Sequence, residues 1–320
     1  MARKPTASLS LDVDNLWSYL KVRGDESWRE RPTYLPTFVP HVLEILDRLG
    51  IRITFFLVGA DATDDRNKPH LRALTAGGHE VGNHSFEHEP WLHTYTPDAV
   101  RKELGDADAA IHAATGQRPI GFRGPGFSWS PDVLSAVSEQ GYAFDASTFP
   151  TFLGPLARTY YFWTAKLSRE EREERKALFG SFSEGFRPLR PYRWSLPGGR
   201  ELLEIPVTTM PMFKVPFHVS YLLYLARFSV GLMSTYLATA LAMCKATRTE
   251  PSILLHPLDV LGGDQVPQLR FFPGMDLPAE EKTRLFIKIM EQLARGFELV
   301  PMGEHARRLA QRPLPTRVPG

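Results

Sequence analysis

Gly78-His79-Glu80-Val81-Gly82-Asn83-His84-Ser85-Phe86-Glu87-His88 is a β-like run, 79–83, that ends in two imidazoles four residues apart. Residues at i and i+4 share one face of a helical turn, so His84 and His88 are expected to aim ring nitrogens at one point. Seventy residues before His84, Asp12-Val13-Asp14 closes another β-like run, 6–12. Aspartates one apart on a strand point the same way. Two imidazoles and a carboxylate make an N,N,O donor set that favours zinc or another first-row transition metal over magnesium. Such a set leaves coordination positions open, as a catalytic metal requires. Alone, the Asp-x-Asp pair is equally compatible with magnesium chelation, an aspartyl nucleophile or a strand cap. The histidine pair selects among these, pointing to a Lewis acid that activates water.

Working outward, further strand-like runs fall at 51–58, 120–123, 142–145, 202–207, 252–256 and 297–300. Helical patterns separate most of them. Val39, Val42, Leu46 and Leu49 keep helical spacing up to Gly50; Thr96-Pro97 opens a helix that stops at Gly116, and Ser130-Pro131 opens another that ends at Gly141. This β-α alternation predicts a parallel sheet. Eight strands are many for an open sheet, and a distorted (β/α)7-8 barrel is the expected α/β fold. Asp12, Asp14, His84, Arg123 and His256 all fall at or just past the C-terminal ends of these strands, the rim where barrel enzymes carry their chemistry.

Composition narrows the class. A formal net charge of +2 over 320 residues argues against a nucleic-acid partner. The lone cysteine, Cys244, has no internal disulfide partner and is expected to pack as a small apolar residue in a reducing compartment. Before the first strand, residues 1–6 lack the apolar core of a secretory signal, so a cytoplasmic location is expected. The longest uncharged run, 228–244, is 17 residues, short for a span of about 20.

The chain reads as one catalytic domain, 1–320, with two irregular stretches. Residues 151–200 hold ten Lys or Arg against five Glu and include a capping-box start at 168–171. This is expected to be a basic insertion, either a solvated excursion or a lid offering Arg158, Arg187, Arg190 or Arg193 to an anionic group. Residues 210–246 place Phe213, Phe217, Tyr221, Leu222, Leu225, Phe228 and Leu232 at near-helical spacing. Core packing is the plain reading and a groove for a hydrocarbon chain the sharper one.

At the motif level the chain resembles the polysaccharide deacetylases, the NodB-homology or family 4 carbohydrate esterases. Asp12-Val-Asp14 resembles their first motif, 78–88 their second, Gly121-Phe-Arg-Gly-Pro-Gly-Phe127 their third and Leu254-Leu-His-Pro257 their last; Thr115-Gly116 adds to the match. The resemblance implies a NodB-type barrel and one divalent metal, Zn2+ first, with Co2+, Ni2+ or Fe2+ as alternatives, bound by Asp14, His84 and His88. It implies Asp12 as general base, Arg123 as the residue holding that carboxylate ionised and oriented, and His256 as general acid. The metal and a backbone N–H, that of Phe127, would stabilise the oxyanion. Trp91 and Trp129 are candidates to stack on sugar rings. Asp145 is a candidate to orient His256 or meet substrate, and Asp259 is a second candidate for the first role. His79, His93 and His112 read as packing or surface residues.

The chain departs from the family pattern at Val13, which separates the aspartates, and at Phe127, where tyrosine is frequent. The implied activity is hydrolysis of an N-acyl group, acetyl or formyl, from an amino sugar of a glycan. The variant first motif and Glu204-Ile-Pro-Val-Thr208 also resemble the branch that deformylates aminoarabinose on undecaprenyl phosphate, which implies a lipid-linked substrate and peripheral contact with a membrane's inner face. A cyclic amide or ureide hydrolase of the same fold and a non-enzymatic carbohydrate binder are the rival readings.

Overall fold

The computed structural model describes residues 3–153 and 182–319. Among them lie ten strands: β1 (Thr6–Asp12), β2 (Thr54–Leu57), β3 (Glu80–Asn83), β4 (Gly121–Phe122), β5 (Phe144–Asp145), β6 (Tyr192–Leu196), β7 (Arg200–Glu204), β8 (Ser252–Leu255), β9 (Glu298–Pro301) and β10 (Thr316–Arg317). The helices are α1 (Leu16–Arg23), α2 (Leu35–Leu49), α3 (Gly59–Thr63), α4 (Lys68–Ala76), α5 (Pro97–Thr115), α6 (Pro131–Glu139), α7 (Val219–Ala226), α8 (Val230–Ala246), α9 (Ala279–Gly296) and α10 (Met302–Ala310). One sheet joins the strands in the order β10-β6-β7-β5-β4-β3-β2-β1-β8, with β9 also on β1. Its ladders are parallel except that between β6 and β7.

This is the expected α/β class with a parallel-dominated sheet, and the ladder is not closed. At the seam, Thr208 N–H donates to the Ser252 carbonyl at 3.0 Å and Ser252 N–H donates to Thr208 Oγ1 at 2.8 Å. Two hydrogen bonds therefore stand where a closed barrel would carry a β7–β8 ladder.

Every residue of β1 is buried, as expected for a central parallel strand covered on both faces. Its period-2 alternation sends Ala7, Leu9 and Leu11 into the largest apolar cluster, shared with α2 and α9. Ser8, Ser10 and Asp12 alternate with them. A smaller cluster joins Phe56, Phe144, Leu203 and Ile205 to Met302, Ala306 and Leu309 of α10. Phe56 and Phe144 meet edge to face at 6.4 Å. Glycine is required beside both rings: a Cβ on Gly82 would stand 2.5 Å from Phe56, and one on Gly121 2.2 Å from Phe144. Above this floor the Arg123 guanidinium lies 4.4 Å from the Phe56 ring centre, with Nη2 3.5 Å from Met302 Sδ. The apolar cluster thus supports the charged residue from below.

Two expectations need correction here. The stretch 151–200 is not an insertion throughout, because Tyr192, Trp194 and Leu196 form β6 with alternating burial and pair with β7. Arg158 and the capping-box start at 168–171 lie outside the described residues. Arg187 is held at 2.7 Å by Glu184 and lies over Trp129, and Arg193 is within 3.6 Å of Glu201 on β7; neither is a free lid cation. Second, the apolar stretch 210–246 is two helices, α7 and α8, with a break at 227–229. Leu222, Leu223, Met233, Leu237 and Leu241 enter the core, while Met212, Phe213, Tyr224, Phe228 and Leu232 are exposed. Among the described residues no helix is long and apolar enough to cross a membrane.

Candidate metal centre

The site sits where β1, β3 and β4 end. Val13 N–H donates to the Phe56 carbonyl at 2.9 Å, extending β1 by one bond before the chain turns. Asn15 then caps α1, its Oδ1 accepting from Leu16 N–H at 2.8 Å. The Tyr34 hydroxyl donates to the Asp14 carbonyl, so the backbone carrying both aspartates is anchored.

The loop after β3 is not the helical turn expected from the i, i+4 spacing. Residues 84–88 form an irregular bend in which Ser85 (φ 62°) and His88 (φ 55°) adopt left-handed backbone, costly for non-glycine residues. Compensating bonds hold it. Asn83 Oδ1 accepts from Ser85 N–H at 2.8 Å, while its Nδ2 donates to Tyr142 Oη at 2.7 Å and the Leu104 carbonyl at 3.0 Å. Glu103 receives the N–H groups of Phe86 and Glu87 at 3.0 and 2.6 Å, and Ser85 Oγ receives that of His88 at 3.1 Å. The two rings converge because the loop folds back, their centres 5.0 Å apart.

His84, His88 and Asp14 form the one candidate metal group among the described residues, each offering an atom within 4.8 Å of the others. Asp14 Oδ1 lies 2.9 Å from His88 Nε2 and 3.5 Å from His84 Nε2. His84 Nδ1 is 2.6 Å from the Arg123 carbonyl. That acceptor requires an N–H on Nδ1 and leaves the Nε2 lone pair facing Asp14, the tautomer a metal ligand needs. The donor set therefore fits a divalent transition metal. Burial pushes the Asp14 carboxyl up, but the charge of His88 and hydrogen bonds with His84 and His88 outweigh it and hold it well below the usual carboxylate range. Burial likewise works against a charged His84, and the carboxylates of Asp12 and Asp14 overcome it, raising its pKa.

Asp12 borders this group. Its Oδ2 is 3.9 Å from His84 Nε2, and its Oδ1 accepts from Arg123 Nη1 at 2.6 Å. Arg123 is wholly buried, and its Nε donates to the Ala146 carbonyl at 3.1 Å. His256 follows β8, the strand beside β1; its N–H donates to Asp259 Oδ2 at 2.8 Å, and Asp259 Oδ1 accepts from Ser220 Oγ at 2.8 Å. Asp259 fixes the His256 backbone.

Three other expected site residues are engaged elsewhere. Asp145 is wholly buried, accepts from Ser147 Oγ at 2.7 Å and pairs with the buried carboxyl of Glu204. Phe127 N–H, expected to stabilise an oxyanion, donates to the Gly124 carbonyl at 3.0 Å, and its ring stacks on Phe149. Trp129 stacks on Trp194 with the Arg187 guanidinium 4.1 Å from its ring centre, so its sugar-stacking face is already used. His79 is buried against Phe55, His93 bonds Ser128, and His112 lies on α5, consistent with packing or surface roles. Sequence reading missed His218, a lone polar ring in an otherwise apolar stretch.

Residues 24–144 match the family model for polysaccharide deacetylase. Over that segment the chain is similar to the polysaccharide deacetylases. The matched segment contains His84, His88 and Arg123; Asp12, Asp14 and His256 lie outside it. A chitooligosaccharide deacetylase of Sinorhizobium fredii is 36% identical over 110 residues, 34% of this chain and 49% of that protein. A peptidoglycan-N-acetylglucosamine deacetylase of Bacillus cereus is 25% identical over 139 residues, 43% of this chain and 61% of that protein. The chain thus spans about half the length of the curated relatives it matches. A Mycobacterium smegmatis protein provisionally called a polysaccharide deacetylase superposes with a TM-score of 0.58 at 18% identity, covering 100% of this chain and 96% of that one. An allantoinase superposes with 0.59 at 17% identity, covering 96% and 91%. At these identities the superpositions show a shared fold alone.

Proposed function

We propose that this protein is a metal-dependent hydrolase that removes an N-acyl group, acetyl or formyl, from an amino sugar. The observation carrying the reading is the convergence of Asp14, His84 and His88 within 4.8 Å beside an Asp12 carboxylate pinned by buried Arg123. The names of the matched deacetylases support a carbohydrate amide as substrate. A divalent ion, zinc first, held by Asp14, His84 and His88 supplies the Lewis acidity that polarises the amide and lowers the pKa of water. Asp12 takes the proton of the attacking water. Arg123 pairs with that carboxylate and aims it. His256, after the strand beside β1, gives a proton to the departing amine nitrogen, so water adds to the acyl carbon as the C–N bond breaks. Acetate and formate release from a panel of N-acylated amino sugars, by zinc-loaded protein and after chelation, tests this. Release that stops on chelation and returns with zinc is expected; release unchanged by chelation would overturn the metal role.

The finer reading is a lipid-linked amino sugar worked on at a membrane's inner face. Met212, Phe213, Tyr224, Phe228 and Leu232 are exposed on and around α7, whose Ser220 holds the His256 loop through Asp259. Apolar side chains so placed suit insertion at a bilayer's headgroup boundary. In flotation with phosphatidylglycerol vesicles at low salt the protein is expected to rise with lipid, and Phe213→Ser with Phe228→Ser to remain below. Wild type staying in the dense fraction while hydrolysing a soluble amide would remove the lipid-linked reading.

A further inference from the structure

His218 has 4% of its surface exposed, and among the described residues neither ring nitrogen has a hydrogen-bond partner. Buried polar atoms are seldom left so, because each forfeits its bonds to water. A phenylalanine would fill the same space without that loss. The ring lies in an aromatic box, its centre 5.2 Å from that of Phe149, 6.4 Å from Phe217 and 6.2 Å from Tyr221. It precedes α7, whose next turn grips Asp259 and through it the His256 backbone. Burial, with the charges of His256 and Arg123, depresses its pKa to about 3, so the ring is neutral, with one N–H and one lone pair. Phe149, one wall of this box, also stacks at 4.8 Å on Phe127, four residues past Arg123, and no described protein group satisfies the imidazole.

We propose that His218 is a substrate-contacting residue whose ring N–H donates to an uncharged oxygen of the amino sugar, a hydroxyl or carbonyl, held beside His256. The inference rests on the hydrolase reading above. A neutral donor among aromatic walls matches a sugar's alternation of C–H faces and hydroxyl edges, and fits a phosphate or carboxylate poorly. The role is binding rather than proton transfer, since a ring held neutral neither gives nor takes a proton in the working pH range.

The test uses zinc-loaded protein and the tetramer of N-acetylglucosamine, with binding followed by calorimetry and acetate release in parallel. His218→Phe is expected to weaken binding and raise KM by about tenfold, one lost hydrogen bond, with kcat and zinc content near those of wild type. Its Tm should equal or exceed that of wild type, because two unsatisfied nitrogens leave the interior. His218→Asn, which keeps an N–H, should recover part of the affinity. Equal binding by wild type and His218→Phe, or no binding by wild type, would overturn the proposal. Binding by wild type without acetate release would instead overturn the hydrolase reading and leave the affinity comparison standing.

Discussion

Asp12→Asn is expected to lower kcat for acyl release by about 10²- to 10⁴-fold, the usual contribution of a positioned general base. The substitution is nearly isosteric, and its amide oxygen can still accept from Arg123 Nη1, which now lies 2.6 Å from Asp12. What it loses is the capacity to take a proton. Zinc content should stay at one per chain, because the Asp14, His84 and His88 donors converge without Asp12. Asp14→Asn is the control: it removes an anionic donor 2.9 Å from His88 Nε2 and should lower zinc content together with activity. Acetate release and elemental analysis on the same samples decide the matter. If Asp12→Asn keeps activity within tenfold of wild type, another group is the base. If it loses zinc while Asp14→Asn keeps it, the two carboxylates have been assigned in the wrong order.

Arg123→Met is expected to cost about 3–5 kcal/mol in stability, the range for removing one partner of a buried ion pair. Methionine fills part of the space over Phe56, but the Asp12 carboxylate, 4% exposed, loses its counter-charge and the Ala146 carbonyl loses a donor. Asp12 would then lose the group that aims it, and deacylation should fall with it. Urea unfolding at pH 7 gives the stability, and the double variant Asp12→Leu with Arg123→Met gives the cause. Because a neutral apolar pair needs no charge compensation, the double variant should recover much of the lost stability and none of the activity. Arg123→Met within about 1 kcal/mol of wild type would contradict the central role given to this pair.

The fold was largely legible because parallel strands covered on both faces appear as apolar runs, and the turns between them carry strong punctuation such as Thr96-Pro97 and Gly116. Strand β6 escaped because its alternation, Tyr192, Trp194 and Leu196 inward with Arg193 and Ser195 between, lies in an arginine-rich stretch whose charge masked the pattern. In the site, the two imidazoles that the motif spacing singled out do converge, but not through the helical turn it implied. Their convergence depends on left-handed Ser85 and His88 and on the bonds of Asn83 and Glu103, none of which a helical period describes. The partners of Phe127 and Asp145 were not legible because residue type reveals capacity to bond, whereas the fold decides that Gly124 and Glu204 take it up.

Arg123 serves its two neighbours through different parts of itself: the guanidinium holds Asp12 and the main-chain oxygen holds His84. Every amino acid has that oxygen. Natural drift or a designer can therefore retune the guanidinium–carboxylate arm by exchanging one side chain, while the imidazole's tether is made by an atom that every residue at 123 would carry.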